Sequence, residues 1–202
     1  EIEMPIYVEK HKDIFFDPLR EFSIGSFNSE KEAIFNIKNH RKSSRDVFEK
    51  TDILIITIGQ NEFWYDSQMD IAWGWTPPKI FRKNSNRFKI FEYSFIQNTN
   101  DLNDIIKKLK EFNPRIKIIL TVSPVPEYAT FLNRNIVSQA FAGKCILRAV
   151  LHETIAKHEG VFYFPSFEYV LTDNPSSYKD DNIHIKRFKV AQILKSLENA
   201  IL

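Results

Sequence analysis

Short, continuous apolar runs alternate along this chain with longer segments in which apolar residues recur every three or four positions. Ile53-Leu54-Ile55-Ile56-Thr57-Ile58 is β-branched, apolar on both faces and stopped by Gly59, the pattern of a central strand in a parallel sheet. Ile116 to Val122 reads the same way and breaks at Ser123-Pro124-Val125-Pro126, and Val161-Phe162-Tyr163-Phe164 forms a third strand before Pro165. Helical stripes lie around them. Ser29-Glu30-Lys31-Glu32 has the form of a capping box and is followed by Ala33, Ile34, Ile37, Val47 and Phe48, which predicts a helix over 29–50. Leu102, Ile105, Ile106, Leu109 and Phe112 predict a helix that ends at Asn113-Pro114. Ile146, Leu147, Val150, Leu151 and Ile155 predict another, and Val190, Leu194, Leu197 and Ile201 a closing one. From Glu1 to Phe27 short apolar groups alternate with turn formers such as Asp17-Pro18, a stretch that reads as irregular with room for one strand.

Strands that alternate with helices imply right-handed crossovers and helices on the faces of a parallel sheet, so the expected architecture is a three-layer α/β domain. No repeat, low-complexity tract or Ser/Gly linker interrupts the 202 residues, and a single domain over 1–202 is expected. In such sheets ligands bind beyond the carboxyl ends of the strands. Three segments fall there: Gly59-Gln60-Asn61-Glu62, Ser123-Pro124-Val125-Pro126 and Pro165-Ser166.

Composition removes several classes of function. Lys and Arg number 28 against 26 Asp and Glu, and a net charge of +2 without a basic cluster argues against nucleic acid as the main partner. Lys12, Lys38, Lys83 and Lys107 are scattered as on a solvated surface. The run Ile53 to Ile58 is far too short to span a bilayer. One cysteine, Cys145, excludes a disulfide framework and a multi-cysteine zinc site, and inside a helix it reads as a small buried apolar group. His11, His40, His152 and His158 lack metal-ligand spacing, so no metal is expected.

Two short motifs carry candidate chemistry. In Asp181-Asn182-Ile183-His184, just before the closing helix, an Asp three residues ahead of a His can accept from Nδ1–H and leave Nε2 as a base. The competing reading is an Asp that caps the last helix beside a surface His. In Gly59-Gln60-Asn61-Glu62, the Gly59 N–H and the Asn61 side-chain amide are donors of the kind an oxyanion hole uses. A tight turn with a left-handed Asn would look the same. Trp64 reads as core, whereas Trp73 and Trp75 flank Gly74 in a long polar loop and suggest a lid or a sugar-stacking surface.

Gly-x-Asn after a parallel strand and a late Asp-x-x-His resemble the SGNH (GDSL-type) hydrolases. A closer resemblance is to the GSCFA family, grouped with them. It rests on Asp17-Pro18-Leu19-Arg20, Thr57-Ile58-Gly59-x-x-Glu62-x-Trp64, Asn113-Pro114, Leu120-Thr121-Val122-Ser123-Pro124-Val125-Pro126, Lys144-x-x-Leu147-Arg148 and Tyr163-Phe164-Pro165-Ser166-Phe167-Glu168. The resemblance implies a flavodoxin-like α/β/α fold, with Asp181 and His184 as the late pair of a Ser-His-Asp triad. It also implies an esterase or O-acyltransferase acting on a small-molecule or glycan acyl ester, such as O-acetyl groups, with no cofactor. A fold that is retained in a non-catalytic or accessory domain is the alternative.

The Gly-Ser-Cys-Phe-Ala segment that names the family, and whose Ser is its nucleophile, does not occur in these residues. Gly25-Ser26-Phe27 is the nearest string, but it follows Asp17-Pro18-Leu19-Arg20 and lies too close to Asn61 for the strand expected between them. The chain starts at Glu1 rather than Met, and the expectation is that the first strand and the nucleophile precede it, with Ser26 as the alternative. No signal peptide or basic targeting segment is read, and a cytoplasmic location is expected.

Overall fold

The structure, a computed structural model, describes residues 5–21, 23–83, 86–173 and 176–201. In chain order its elements are β1 (Glu9–His11), β2 (Ile14–Phe16), β3 (Ser26–Phe27), α1 (Glu30–Lys50), β4 (Ile53–Ile58), β5 (Glu62–Asp66), β6 (Ile71–Ala72) and α2 (Lys79–Arg82). There follow β7 (Phe88–Glu92), α3 (Phe95–Phe112), β8 (Lys117–Val122), α4 (Ile136–Ile155), β9 (Val161–Tyr163), α5 (Ser166–Thr172) and α6 (Arg187–Ile201). They form two units, Glu1–Lys50 with Glu62–Glu92, and Thr51–Asn61 with Tyr93–Leu202.

In the first unit the opening stretch holds three antiparallel strands, β1-β2-β3, rather than one. Lys12 makes the first reversal with a positive φ of 53°. Glu1 to Met4 and Phe22, part of the same expectation, lie outside the described residues. The helix predicted over 29–50 forms as α1, where Ser29 Oγ accepts from Glu32 N while the Glu32 carboxylate reaches Asn28 N. The segment read as a long polar loop is a second antiparallel sheet, β6-β5-β7, with Trp64 opposite Ile90 and Tyr65 opposite Ala72. Its strands escaped the apolar pattern because they mix aromatic and charged residues, as in Glu62-Phe63-Trp64-Tyr65-Asp66.

Trp73 is 4% exposed and packs edge-on to Phe88 beside Phe16, with Trp64 and Trp75 against the same cluster. This corrects its reading as an exposed sugar-stacking or lid residue. Below it, fully buried Asp66 accepts from Trp73 Nε1, from the backbone N–H of Gln68 and Met69, and from Arg87, which also pairs with Glu9. A buried carboxylate is tolerable only when it is satisfied in this way.

The second unit is built on the parallel sheet β4-β8-β9. β8 is the strand buried on both faces. Ile118, Leu120 and Val122 face Leu102 and Ile106 of α3 and Leu147, Val150 and Leu151 of α4. Each such side chain contributes about 1.5–3 kcal/mol on burial. On the opposite face Thr121 Oγ1 meets Ser166 Oγ of α5 at 2.6 Å, so helices cover both sides of the sheet. β4 departs from the central-strand reading. Among the described residues it pairs only with β8, Leu54, Ile56 and Ile58 face the core, and Ile53 and Ile55 are exposed.

The third predicted helix starts ten residues earlier than its apolar stripe, because Asn135 caps it by accepting from Val137 N and Ser138 N. Cys145 in that helix is exposed, not buried, since the inward face is taken by Ala140, Lys144, Leu147 and Leu151. The closing helix forms as α6, yet Val190, Leu194 and Ile201 of its stripe are exposed while Lys189 is buried in an ion pair with Asp173.

Candidate functional site

The strand register decides which residues can meet. Ile58 is paired with Val122 and Leu120 with Tyr163, so the three parallel strands end side by side. Gly59 thereby stands against Ser123. Ser123 N donates to Ile58 O at 2.7 Å, and a Cβ on Gly59 would come within 3.1 Å of Ser123 Cβ. Glycine is what lets the two strand ends close on each other. Two residues on, Asn61 is 4% exposed; its Nδ2 donates to Tyr93 O at 2.8 Å and its Oδ1 accepts from Asn98 Nδ2 at 2.6 Å. One of its two amide protons is thus held by Tyr93.

Ser166, in the third of the expected segments, is buried and committed. Its hydroxyl donates to Val122 O at 2.9 Å and fixes the start of α5 to the end of β8. Nearby, Tyr163 OH donates to Glu168, which also receives Arg148 Nε at 2.7 Å, while the Arg148 guanidinium lies 4.1 Å from the Tyr163 ring centroid. Burial and then the Glu168 carboxylate push the Tyr163 phenol well above its ordinary range, so it acts here as a donor.

Asp181 and His184 sit on a loop closed like a small hairpin. Tyr178 bridges Ile185, Lys179 N donates to His184 O, and Lys186 N donates to Ser177 O. Asn182 takes the left-handed turn at φ 55°, a conformation Asn tolerates better than most residues. The Tyr178 hydroxyl donates to Pro124 O at 3.0 Å, which ties this loop to the segment leaving β8.

Within the loop Asp181 Oδ1 accepts from Ile183 N and His184 N, both at 2.9 Å, and Oδ2 is 2.7 Å from His184 Nδ1. The His184 and Ile183 N–H groups, followed by the imidazole, hold the Asp181 carboxyl down at about 2. An ionised carboxylate can only accept, so Nδ1 carries the proton and Nε2 of the neutral ring is left as the acceptor. Asp181 does not cap the closing helix, which begins six residues later.

Lys144, the first residue of Lys144-x-x-Leu147-Arg148, reaches this strand end from α4 and had no role assigned from sequence. Its Nζ donates to Gly59 O at 2.7 Å and the residue is 4% exposed. Its signal was present in the sequence: Ala140, Lys144, Leu147 and Leu151 share one helical face, so a lysine stands in a core position. A groove of about 400 Å³ lined by Asn103, Asp104, Lys107, Lys110, Glu111 and His158 lies elsewhere, where β9 begins rather than where the strands end. Among the described residues no cluster of three or more His, Cys, Asp or Glu could hold a metal, and no helix is long and apolar enough to cross a membrane.

The unit that carries these residues is of the mixed α/β class, a parallel sheet with helices on both sides and polar side chains gathered where its strands end. The sequence pattern of the GSCFA family matches residues 6–197, and the chain belongs to that family. No curated protein matches it.

Proposed function

We propose that this chain carries the His–Asp half of an SGNH-type serine esterase or O-acyltransferase, with the three-layer α/β/α arrangement of that superfamily. The substrate would be an acyl ester, in particular O-acetyl groups of a glycan. His184 Nε2 takes the proton of a serine hydroxyl as its oxygen attacks the acyl carbon. Asp181 orients the imidazole and stabilises it when it is charged. The Gly59 N–H and the remaining Asn61 amide proton receive the oxyanion. Collapse of the tetrahedral intermediate breaks the ester C–O bond, the alcohol departs with the proton, and water or an acceptor hydroxyl then releases the acyl group. A serine and a base suffice, so no metal or organic cofactor enters.

The observation that supports this reading is the 2.7 Å Asp181–His184 pairing on a loop bonded through Tyr178 to the segment that leaves β8. One observation favours the second reading, a non-catalytic domain of the same fold: among the described residues no hydroxyl is hydrogen-bonded to His184, whose side chain is 68% exposed. The two are separated in the full-length protein by turnover of p-nitrophenyl acetate and by labelling with a serine-directed phosphonate. The enzyme reading expects one labelled serine, identified by digestion, which decides between Ser26 and a serine outside these residues. It also expects His184→Ala to lose about 10³- to 10⁴-fold in kcat without loss of fold. Full turnover by His184→Ala ends the mechanism, and no labelling with no turnover leaves the accessory domain.

A further inference from the structure

Lys144 is a buried ammonium that the proposed chemistry does not use. Its neighbours are the Gly59 carbonyl at 2.7 Å and the charge of Glu127. A side chain on Gly59 would meet both Ser123 Oγ, at 3.6 Å, and Lys144 Nζ, at 3.9 Å, so the ammonium lies at the base of the strand-end site. The residue before it, Gly143, backs onto Asn61: a Cβ there would touch Asn61 Cβ at 3.8 Å and Glu127 Oε1 at 3.7 Å. Lys144 of α4 therefore holds the Gly59 end of Gly59-Gln60-Asn61, while Gly143 leaves room beside Asn61 at the other.

A methionine of similar length would fill this place without the cost of desolvating a charge. Burial indeed lowers the Lys144 pKa, against the pull of Glu127. What only the ammonium supplies is direction and polarisation. In a planar trans peptide the carbonyl and the following N–H point opposite ways. A cation bonded to Gly59 O therefore turns Gln60 N–H away from α4 and strengthens it as a donor. We propose that Lys144 is a positioning residue that fixes and polarises the Gly59–Gln60 peptide so that Gln60 N–H joins the Gly59 N–H and the Asn61 amide in facing an oxyanion. The assignment of an oxyanion rests on the esterase reading above; the hold on the peptide does not.

The test uses the full-length protein with Lys144→Met, Lys144→Arg and, as reference, His184→Ala. It reads the Gly59 and Gln60 amide resonances together with kcat and KM for p-nitrophenyl acetate. Lys144→Met is expected to keep its fold, move the Gln60 amide upfield and lower kcat about 10²-fold with KM little changed, as when one oxyanion contact is lost. Lys144→Arg, which retains a cationic donor, is expected to recover part of that kcat. An unmoved Gln60 amide, or unchanged kcat in Lys144→Met while His184→Ala is inactive, overturns the proposal. If His184→Ala is fully active the esterase reading falls, and the Gln60 amide alone then decides whether Lys144 sets the loop. Should Lys144→Met not fold, Lys144→Gln, neutral and too short to reach the carbonyl, must give the same amide shift and the same loss.

Discussion

At the scale of single residues, the Asp181 carboxylate is the group whose behaviour the geometry fixes most closely. It accepts three hydrogen bonds within one turn of chain, and its pKa falls to about 2 chiefly through the His184 and Ile183 N–H groups. Because the folded value is depressed, the loop is supported fully above the ordinary aspartate range and loses that support only as pH falls toward 2. A carboxyl-carbon NMR titration is expected to give a midpoint near 2 for Asp181, and the His184 amide should move with it. A midpoint in the ordinary aspartate range would mean that the turn is not formed in solution. The same titration bears on the proposed mechanism, since an ionised Asp181 can only accept, which keeps the proton on Nδ1 and leaves Nε2 open.

At the scale of elements, two glycines with the same composition have opposite expectations. Gly74, after β6, donates its N–H to Pro18 O at 3.0 Å, and a Cβ there would fall 2.2 Å from Leu19 O. That atom is backbone and cannot swing aside. Gly74→Ala is therefore expected to lower stability by about 1–3 kcal/mol, within the range for overpacking. Gly143 sits inside α4, where glycine costs roughly 0.5–1 kcal/mol relative to alanine. Its nearest neighbours would meet a new Cβ at 3.7 and 3.8 Å, ordinary contact distances. Gly143→Ala is expected to raise stability by up to about 1 kcal/mol. Urea unfolding of both variants checks the pair; destabilisation by Gly143→Ala would mean that α4 lies closer to Asn61 than described.

At the scale of the whole molecule, the two units rest on different interactions: the second on the apolar cluster around β8, the first on polar groups that the apolar pattern did not reveal. The first is centred on Asp66, whose burial alone would raise its pKa but whose bonds to Arg87, to Gln68 and Met69 N–H and to Trp73 bring it below the ordinary range. Arg87 joins this carboxylate to Glu9 of β1, so one ion network spans strands far apart in sequence. Asp66→Asn is expected to destabilise the protein by about 3–5 kcal/mol, the usual result of removing one partner of a buried pair. The depressed pKa gives the sign with pH: the contribution is complete above the ordinary carboxylate range and is lost on acidification through the folded value. Acid unfolding followed by tryptophan fluorescence reads it, since Trp73 Nε1 bonds to Asp66. An Asp66→Asn variant with wild-type stability and acid midpoint would remove the network from any account of the fold.

The parallel sheet was legible because β4, β8 and β9 are short apolar runs closed by Gly59, Ser123-Pro124 and Pro165, and strand chemistry of that kind is local. α1 was legible almost to the residue, its limits set by a side-chain cap and a helical stripe. Local, too, is the Asp181–His184 contact, since three residues of one tight loop suffice to make it. What the sequence could not express is which apolar residues the rest of the chain covers. Trp73 and Cys145 exchanged their expected places, one buried and one exposed, and the stripe of α6 stayed open. Burial is decided by neighbours brought together from distant parts of the chain, not by the residue itself. The role of Lys144 is the same case at the candidate site: its place on the inward face of α4 could be read from spacing, but the carbonyl it holds lies 85 residues away. Only the register of β4 on β8, and the packing of α4 against that strand end, bring the two together.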